Sequence, residues 1–481
     1  MAPISSAAAT TNKKPAGAPL WAVSLGLMLA GLAGYALIRR LGLSLEAAGA
    51  ERALNPPASN GPTTLSAVLL ALVVIIATAR LMGALFKRLH QPPVVGEVVA
   101  GIVLGPSLLG HFAPGVMASL FSPAVVTPLS TIAQVGVALF MFIVGLELDT
   151  GVVRRQARAT AVIAQASIVV PFLLGAALAL YLYPRLSRPD VSFTAFSLFL
   201  GVSLSITAFP VLARILTDRG CNRSELGVTA LTCAAMNDVA AWCMLAFVVG
   251  VIHAKMGGAA LTVVLTAAYV CAMIWIVRPL AGRLLARFEN RAASGQSLMA
   301  LAAVGLLLSC LATESIGIHA LFGAFMLGAV IPHNSSAAHA LFEKIHDFVV
   351  VMLLPAFFAL TGLRTQIGLV GGTHLLTTCL IIAVAFAGKF GGSAVAARST
   401  GMSWRDSYGL GLLMNTRGLM ELIVLNVGLD LGVISPRLFA MLVLMAVITT
   451  LMTGPILDLL VQPGWRNDTD LTSRFVGLEN N

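Results

Sequence analysis

The sequence predicts an all-α polytopic membrane protein, and three observations predict it. Of 481 residues, 58% are hydrophobic and 10% charged, where soluble domains carry about 25% charged residues. Apolar runs long enough to cross about 30 Å of hydrocarbon recur from position 64 to position 461. The basic residues crowd into alternate loops between those runs, as Lys and Arg do on the cytoplasmic side of membrane proteins. That crowding accounts for the formal charge of +10, so no nucleic-acid partner is implied. The expected partner is the lipid bilayer.

The elements follow in order. Lys13 and Lys14 precede an apolar run from Trp21 to Ile38, closed by Arg39 and Arg40. This is the pattern of a signal-anchor, or of a cleaved signal with Ala48-Gly49-Ala50 as its small-residue exit. The expected division is 1–62 as signal or anchor segment and linker, 63–462 as transmembrane domain, and 463–481 as a short cytoplasmic tail. The domain reads as about thirteen spans: 64–87, 93–110, 124–148, 160–183, 191–218, 225–252, 259–286, 297–315, 317–332, 346–366, 373–397, 406–430 and 436–461.

One set of loops holds Lys87, Arg88, Arg154, Arg155, Arg158, Arg214, Arg219, Arg223, Arg283, Arg287, Arg291, Lys344, Arg398 and Arg405. The other holds only Arg185, Arg188, Lys255, Arg364 and Arg437. The first set is therefore cytoplasmic, which starts the core outside and places the C-terminus inside. The expected location is the inner (plasma) membrane of a bacterium. Cys221, Cys233, Cys243, Cys271, Cys310 and Cys379 show no CxxC or His-associated spacing. They support neither a disulfide framework nor a zinc site and read as small packing residues.

The core reads as duplicated. LFMFIVGLELDTGVV at 139–153 is echoed by LPAFFALTGLRTQIGLV at 354–370, both closing an apolar span on Gly-Leu. One span earlier, GEVVAGIVLGP at 96–106 parallels HALFGAFMLGAVIP at 319–332. The second and third spans thus pair with the ninth and tenth. An offset of seven spans is odd, so the two copies have opposite topology, the inverted-repeat plan of secondary transporters. In that plan sites lie where corresponding spans are broken. The fifth carries Ser203, Ser205, Thr207 and Pro210 in its middle, and Pro210 is expected to disfavour helix at Phe209 and free carbonyls near Thr207. Its counterpart, the twelfth, carries Asn415, Thr416, Arg417 and Gly418 half-way along.

Between the two breaks in sequence lies Asn237–Asp238, deep in the sixth span. At about 1.5 Å per residue Asp238 sits roughly 20 Å along it, near the bilayer midplane. A carboxyl there costs about 2.5–3.5 kcal/mol on insertion scales and normally faces a cavity rather than lipid. Lys389 is a second deep charge, readable as a snorkelling lysine or as a partner for the 237–238 region. Arg417 and Glu421, spaced i,i+4, can pair along one helix face and support the break. Glu97 reads as a stabilising carboxylate or one on the cation's path inward. His111, His253, His319 and His333 lie near span ends, where solvated or capping roles are expected.

Four segments in order, ITAFPVLARIL, AAMNDVAAW, AGKFGG and NTRGLMELI, resemble the sodium/hydrogen exchanger superfamily. Within it they are most similar to the monovalent cation:proton antiporter-2 branch of Kef-type proteins and plant cation/proton exchangers. The resemblance covers roughly 64–461. It implies a homodimer, each protomer having a dimerisation domain and a core that moves elevator-like, with two broken helices crossing beside the essential Asp238. It implies a basic partner at Lys389. Relatives with two adjacent aspartates are associated with electrogenic exchange, so Asn237 implies an electroneutral one. The nucleotide-binding C-terminal domain of Kef-type proteins is not expected here.

The chemistry agrees with this. One carboxylate can hold a proton or a dehydrated monovalent cation, because each neutralises the same charge. With alternating access, that exclusivity is sufficient for antiport of Na+ or K+ against H+, with no cofactor. Hydroxyl and carbonyl oxygens around Thr207 suit a hard cation, although Thr207 can also simply back-bond its own helix. No HExxH or GxSxG occurs, so an intramembrane enzyme is not expected. The rival reading is an inverted-repeat symporter for an organic anion.

Overall fold

The computed structural model describes residues 64–147, 157–189, 191–221, 224–253, 259–290, 295–332, 335–372 and 374–460. The 1–62 and 463–481 segments, Asp149, Arg154, Arg155, Arg223, Lys255, Arg291 and His333 lie outside the described residues.

Among the described residues all regular structure is helical. The first repeat comprises α1 (Thr64–Arg88), α2 (Pro93–Leu104), α3 (Pro123–Glu147), α4 (Ala157–Leu186), the half-helices α5 (Phe193–Ser205) and α6 (Phe209–Asp218), and α7 (Glu225–His253). Next comes α8, formed by Ala259–Ala272 and Arg278–Asn290 joined through a π turn at Met273–Val277. The second repeat follows: α9 (Gly295–Ile316), α10 (Ala320–Val330) and α11 (Ser336–Phe348, π turn Val349–Leu353, Leu354–Arg364). It continues with α12 (His374–Phe386, π turn Ala387–Gly391, Gly392–Ser399), the half-helices α13 (Trp404–Met414) and α14 (Leu419–Asp430), and α15 (Pro436–Leu460).

Eleven segments are long and apolar enough to cross a membrane, α5 and α6 counting as one and α2 counting together with the short helix that continues to Phe112, and α13 with α14, bent by 44°, makes a twelfth. The expected ninth span, 317–332, is shorter than the sequence implied. Gly317 takes φ +93°, and α10 has 11 residues, a rise of about 16 Å. It covers about half of the hydrocarbon thickness. Its repeat partner α2 is similarly short, with 12 residues.

The helices sort into two bundles. The first packs α1, α2, α3, α9, α10 and α11 together; the second packs α4 to α7 with α12 to α15. Only 6% of the apolar window of α8 is buried, so this helix links the bundles along their outside. Each bundle takes three spans from each repeat, as an inverted duplication requires. The glycines show the symmetry directly. A Cβ on Gly105 would meet the Gly362 carbonyl oxygen at 2.7 Å, and one on Gly328 would meet Gly145 Cα at 2.9 Å. Gly105 aligns with Gly328 across the repeat, and Gly145 with Gly362. The two contacts are images of one another.

Candidate ion-binding site

The two interruptions meet in the second bundle. α5 ends at Ser205, Ile206 and Ala208 are extended, and α6 starts at Phe209. The break therefore lies ahead of Phe209, which is helical, contrary to the expectation from Pro210. Proline in a first helical turn costs nothing, because its missing N–H has no partner there anyway. Across the gap, Ala208 N–H donates to Thr416 O at 3.0 Å and Thr207 Oγ1 donates to Met414 O at 2.9 Å. Thr207 thus bonds the opposing break and not its own helix.

A helix that stops inside a membrane leaves carbonyls which must find donors. Arg417 supplies two, donating to Ser203 O at 2.9 Å and Leu204 O at 2.7 Å. Lys389 Nζ donates to the next carbonyl, that of Ser205. Both cations therefore sit at the negative end of the α5 dipole, and the carbonyls of Ser203, Leu204 and Ser205 are engaged by protein groups. Arg417 also pairs with Glu421 at 3.0 Å, with both side chains fully buried. Its backbone N–H and carbonyl both bond Thr450 Oγ1 at 2.8 Å.

Lys389 lies in the π turn of α12, a local expansion that recurs at functional sites. It is fully buried, which removes the snorkelling reading. Its second bond goes to Ser167 O on α4 at 2.9 Å. The sequence explains why that carbonyl is free: its helical partner four residues on is Pro171, which has no N–H. A Cβ on Gly388 would lie 3.0 Å from Pro171 Cα, so a glycine beside the lysine lets α12 approach this point.

Asp238 is 2% exposed, and neither carboxylate oxygen has a hydrogen-bond partner among the described residues. The groups acting on it are Lys389 and the Phe209 backbone N–H at the start of α6. No ion pair within 4.0 Å joins Lys389 to Asp238 among the described residues, so the lysine bonds carbonyls while facing the carboxylate electrostatically. The Asn237 side chain lies 2.8 Å from Ser167 Oγ and 3.3 Å from Thr207 Oγ1. Ser205 Oγ is taken up by Gly201 O and Ile168 O at 2.7 and 3.0 Å. Glu97 is placed elsewhere: it packs on Gly83 of α1, with Arg80 as the cation acting on it.

Three buried polar residues of this bundle had no signal strong enough to mark them. Ser167 was one serine in an apolar run. Asn415, whose amide oxygen and nitrogen both lack a partner among the described residues, was visible only as part of the break. Trp242, one turn beyond Asp238, buries an Nε1 with no partner among the described residues and stacks on Phe325 of the first bundle at 6.2 Å.

A cavity of about 890 Å³ opens between the bundles on the side that the loop charges assign to the outside, lined by Gln134, Glu314, His319, Arg364, Asn426 and Asp430 among others. Arg364 of α11 donates to Asp430 at 2.8 Å and to Asn426 at 3.0 Å, both on α14. Asn426 in turn donates to Thr361 at 2.9 Å. These bonds tie one bundle to the other.

Comparison with known proteins places this architecture. Residues 73–462 match the family described as "Sodium/hydrogen exchanger, transmembrane". The Na(+)/H(+) antiporter NhaS4 of Synechocystis sp. is 43% identical over 397 residues, covering 82% of this chain and 97% of that protein. Cation/H(+) antiporter 20 of Arabidopsis thaliana is 39% identical over 406 residues, covering 81% of this chain and 48% of the plant protein. The chain thus spans nearly all of the cyanobacterial relative and about half of the plant one. The structure of the sodium proton antiporter MjNhaP1 from Methanocaldococcus jannaschii at pH 8 superposes with a TM-score of 0.62 at 12% identity, covering 82% of this chain and 97% of that one. Matched over most of its length in sequence and in fold, the chain belongs to the sodium/hydrogen exchanger family of integral membrane proteins.

Proposed function

We propose that this protein is a monovalent cation:proton antiporter, exchanging Na+ or K+ for H+ at Asp238. The observation that carries the reading is a buried carboxylate, set where two broken helices cross, whose oxygens have no hydrogen-bond partner among the described residues. Every neighbouring charge is already engaged: Arg417 by Glu421 and two carbonyls, Lys389 by two more. Asp238 alone is left to take a proton or a cation. The names of the relatives, Na(+)/H(+) and Cation/H(+) antiporters, support the same chemistry.

Asn237 and Thr207 add oxygens beside that carboxylate, while Lys389, Arg417 and Glu421 hold the broken ends in place. The second bundle carries the site and moves elevator-like against the first, which forms the homodimer. The formal charges of Asp238, Lys389, Glu421 and Arg417 sum to zero, so binding one proton or one monovalent cation leaves the same charge on the moving bundle. Exchange is therefore electroneutral. It serves pH and cation homeostasis in a bacterial inner membrane, with the C-terminus cytoplasmic. Dye dequenching in proteoliposomes, with Na+, K+ and an organic anion supplied in turn, tests the reading. Proton movement with either cation supports it; movement with the anion alone would replace it by the symporter.

A further inference from the structure

We propose that Ser167 is a positioning residue for the ion site: its hydroxyl fixes the Asn237 amide with the oxygen turned toward the cation. The inference rests on the antiport reading and assigns to α4 a role that none of the recognised sequence segments contains.

Ser167 is fully buried and joins two parts of the site. Its carbonyl, freed by Pro171, holds Lys389, and its hydroxyl faces Asn237. The amide has two orientations, which differ only in which end carries the nitrogen. In one, Nδ2 points at Ser167 Oγ and Thr207 Oγ1, and the Ser167 hydroxyl donates to Ala164 O at 2.8 Å. That arrangement turns the amide oxygen toward acceptors only. In the other, Nδ2 donates to Ala164 O at 3.1 Å and Cys233 O at 3.3 Å, and Oδ1 accepts from Ser167 Oγ at 2.8 Å. Every polar atom is then satisfied, and the amide oxygen stands beside the Thr207 hydroxyl. A buried amide that sets its oxygen against carbonyl oxygens forfeits its hydrogen bonds, so the second orientation is the stable one.

The consequence is chemical. In the second orientation Asn237, next to Asp238 in sequence, offers a hard oxygen to a monovalent cation; in the first it offers an N–H donor, which a cation avoids. The carbonyls of Ala164 and Cys233 select this orientation, and the Ser167 hydroxyl holds it by donating to Oδ1 at 2.8 Å. Removing the hydroxyl takes away that donor and leaves the oxygen less firmly placed.

The test uses the full-length protein in proteoliposomes, with proton movement followed over a concentration series of Na+ and of K+. A parallel series measures how far each cation raises Tm in detergent. Ser167→Ala is expected to raise the apparent KM about tenfold, with kcat unchanged and the cation-dependent rise in Tm diminished. Ser167→Thr, which keeps the hydroxyl, is expected to stay near wild type. In an Asn237→Ala background, Ser167→Ala is expected to add nothing further, because the amide it positions is gone. A wild-type KM in Ser167→Ala, or an equal penalty in both backgrounds, overturns the inference. If Ser167→Ala does not fold, Ser167→Cys, a weak donor, takes its place, and an unchanged KM there overturns it equally. Wild-type protein that moves no protons with either cation refutes the antiport reading instead.

Discussion

Ala208 donates its backbone N–H to the carbonyl of Thr416 at 3.0 Å, joining the breaks of two helices that are 208 positions apart in sequence. Within hydrocarbon each of those groups would otherwise cost several kcal/mol. The interrupted helices are therefore stable only as a pair, and Asp238 faces the place where they join. Predictions for the site follow from this mutual support.

Asp238→Asn is expected to abolish cation-driven proton movement while leaving the fold intact. Asn is nearly isosteric, and neither carboxylate oxygen has a hydrogen bond to lose among the described residues. The mutant should match wild type in size-exclusion profile and Tm. Exchange by the mutant at the wild-type rate would remove Asp238 from the site.

Glu421→Ala is expected to destabilise the protein by about 3–5 kcal/mol, the cost of leaving a buried partner charge unpaired. The pair is fully buried at 3.0 Å, and Arg417 also holds the end of α5. Arg219→Ala, which breaks a half-exposed pair with Asp458 at 2.8 Å, should cost no more than about 1 kcal/mol. Thermal unfolding in detergent compares the two, and equal losses would show that Arg417 is held by its carbonyl bonds alone.

Lys389→Ala is expected to lower Tm and weaken transport together. The ammonium bonds two carbonyls, and each such charge-assisted bond is worth about 1.5–3 kcal/mol. Lys389→Arg should not restore the wild type, because a planar guanidinium cannot occupy a point-charge site in the same way. An unchanged Tm in Lys389→Ala would mean that these bonds add nothing net.

The bonds between Thr361, Arg364, Asn426 and Asp430 cross from one bundle to the other, so a moving second bundle has to break them. Thr361→Cys with Asn426→Cys, in a background without the six native cysteines, should therefore lock exchange on oxidation and recover it on reduction. Their side chains meet at 2.9 Å in this state. Full activity in the cross-linked protein would exclude relative movement of α11 and α14.

Much of this architecture was legible in the chain, for identifiable reasons. Span length and loop charge report the bilayer directly. The repeat was readable from glycine-bearing segments whose close backbone contacts the structure shows, Gly105 on Gly362 and Gly145 on Gly328. Pro171 was equally visible, but its effect was not: it frees a carbonyl whose partner, Lys389, lies 222 positions away from Ser167. Hydropathy cannot distinguish such a serine from a packing residue. The short α10 was hidden for a related reason, since apolar composition continues past the point where Gly317 turns the chain.

The last expectation is that exchange is electroneutral. The second bundle, which we propose moves, contains two buried bases, Lys389 and Arg417, and two buried acids, Asp238 and Glu421. One proton or one monovalent cation at Asp238 changes that sum equally, so the membrane potential does no net work on a complete cycle. Asn237 preserves this balance because it has no proton to give. An aspartate in its place would couple to Asp238 as a titrating pair and admit a second charge. Lys389 could break the balance only by releasing a proton whenever a cation bound. Proteoliposomes clamped at a series of imposed potentials measure this. Wild-type rates and end-points should not vary with the potential, and Asn237→Asp should acquire a dependence on it. A wild-type end-point that follows the potential would make Lys389 a proton carrier and raise the stoichiometry above one.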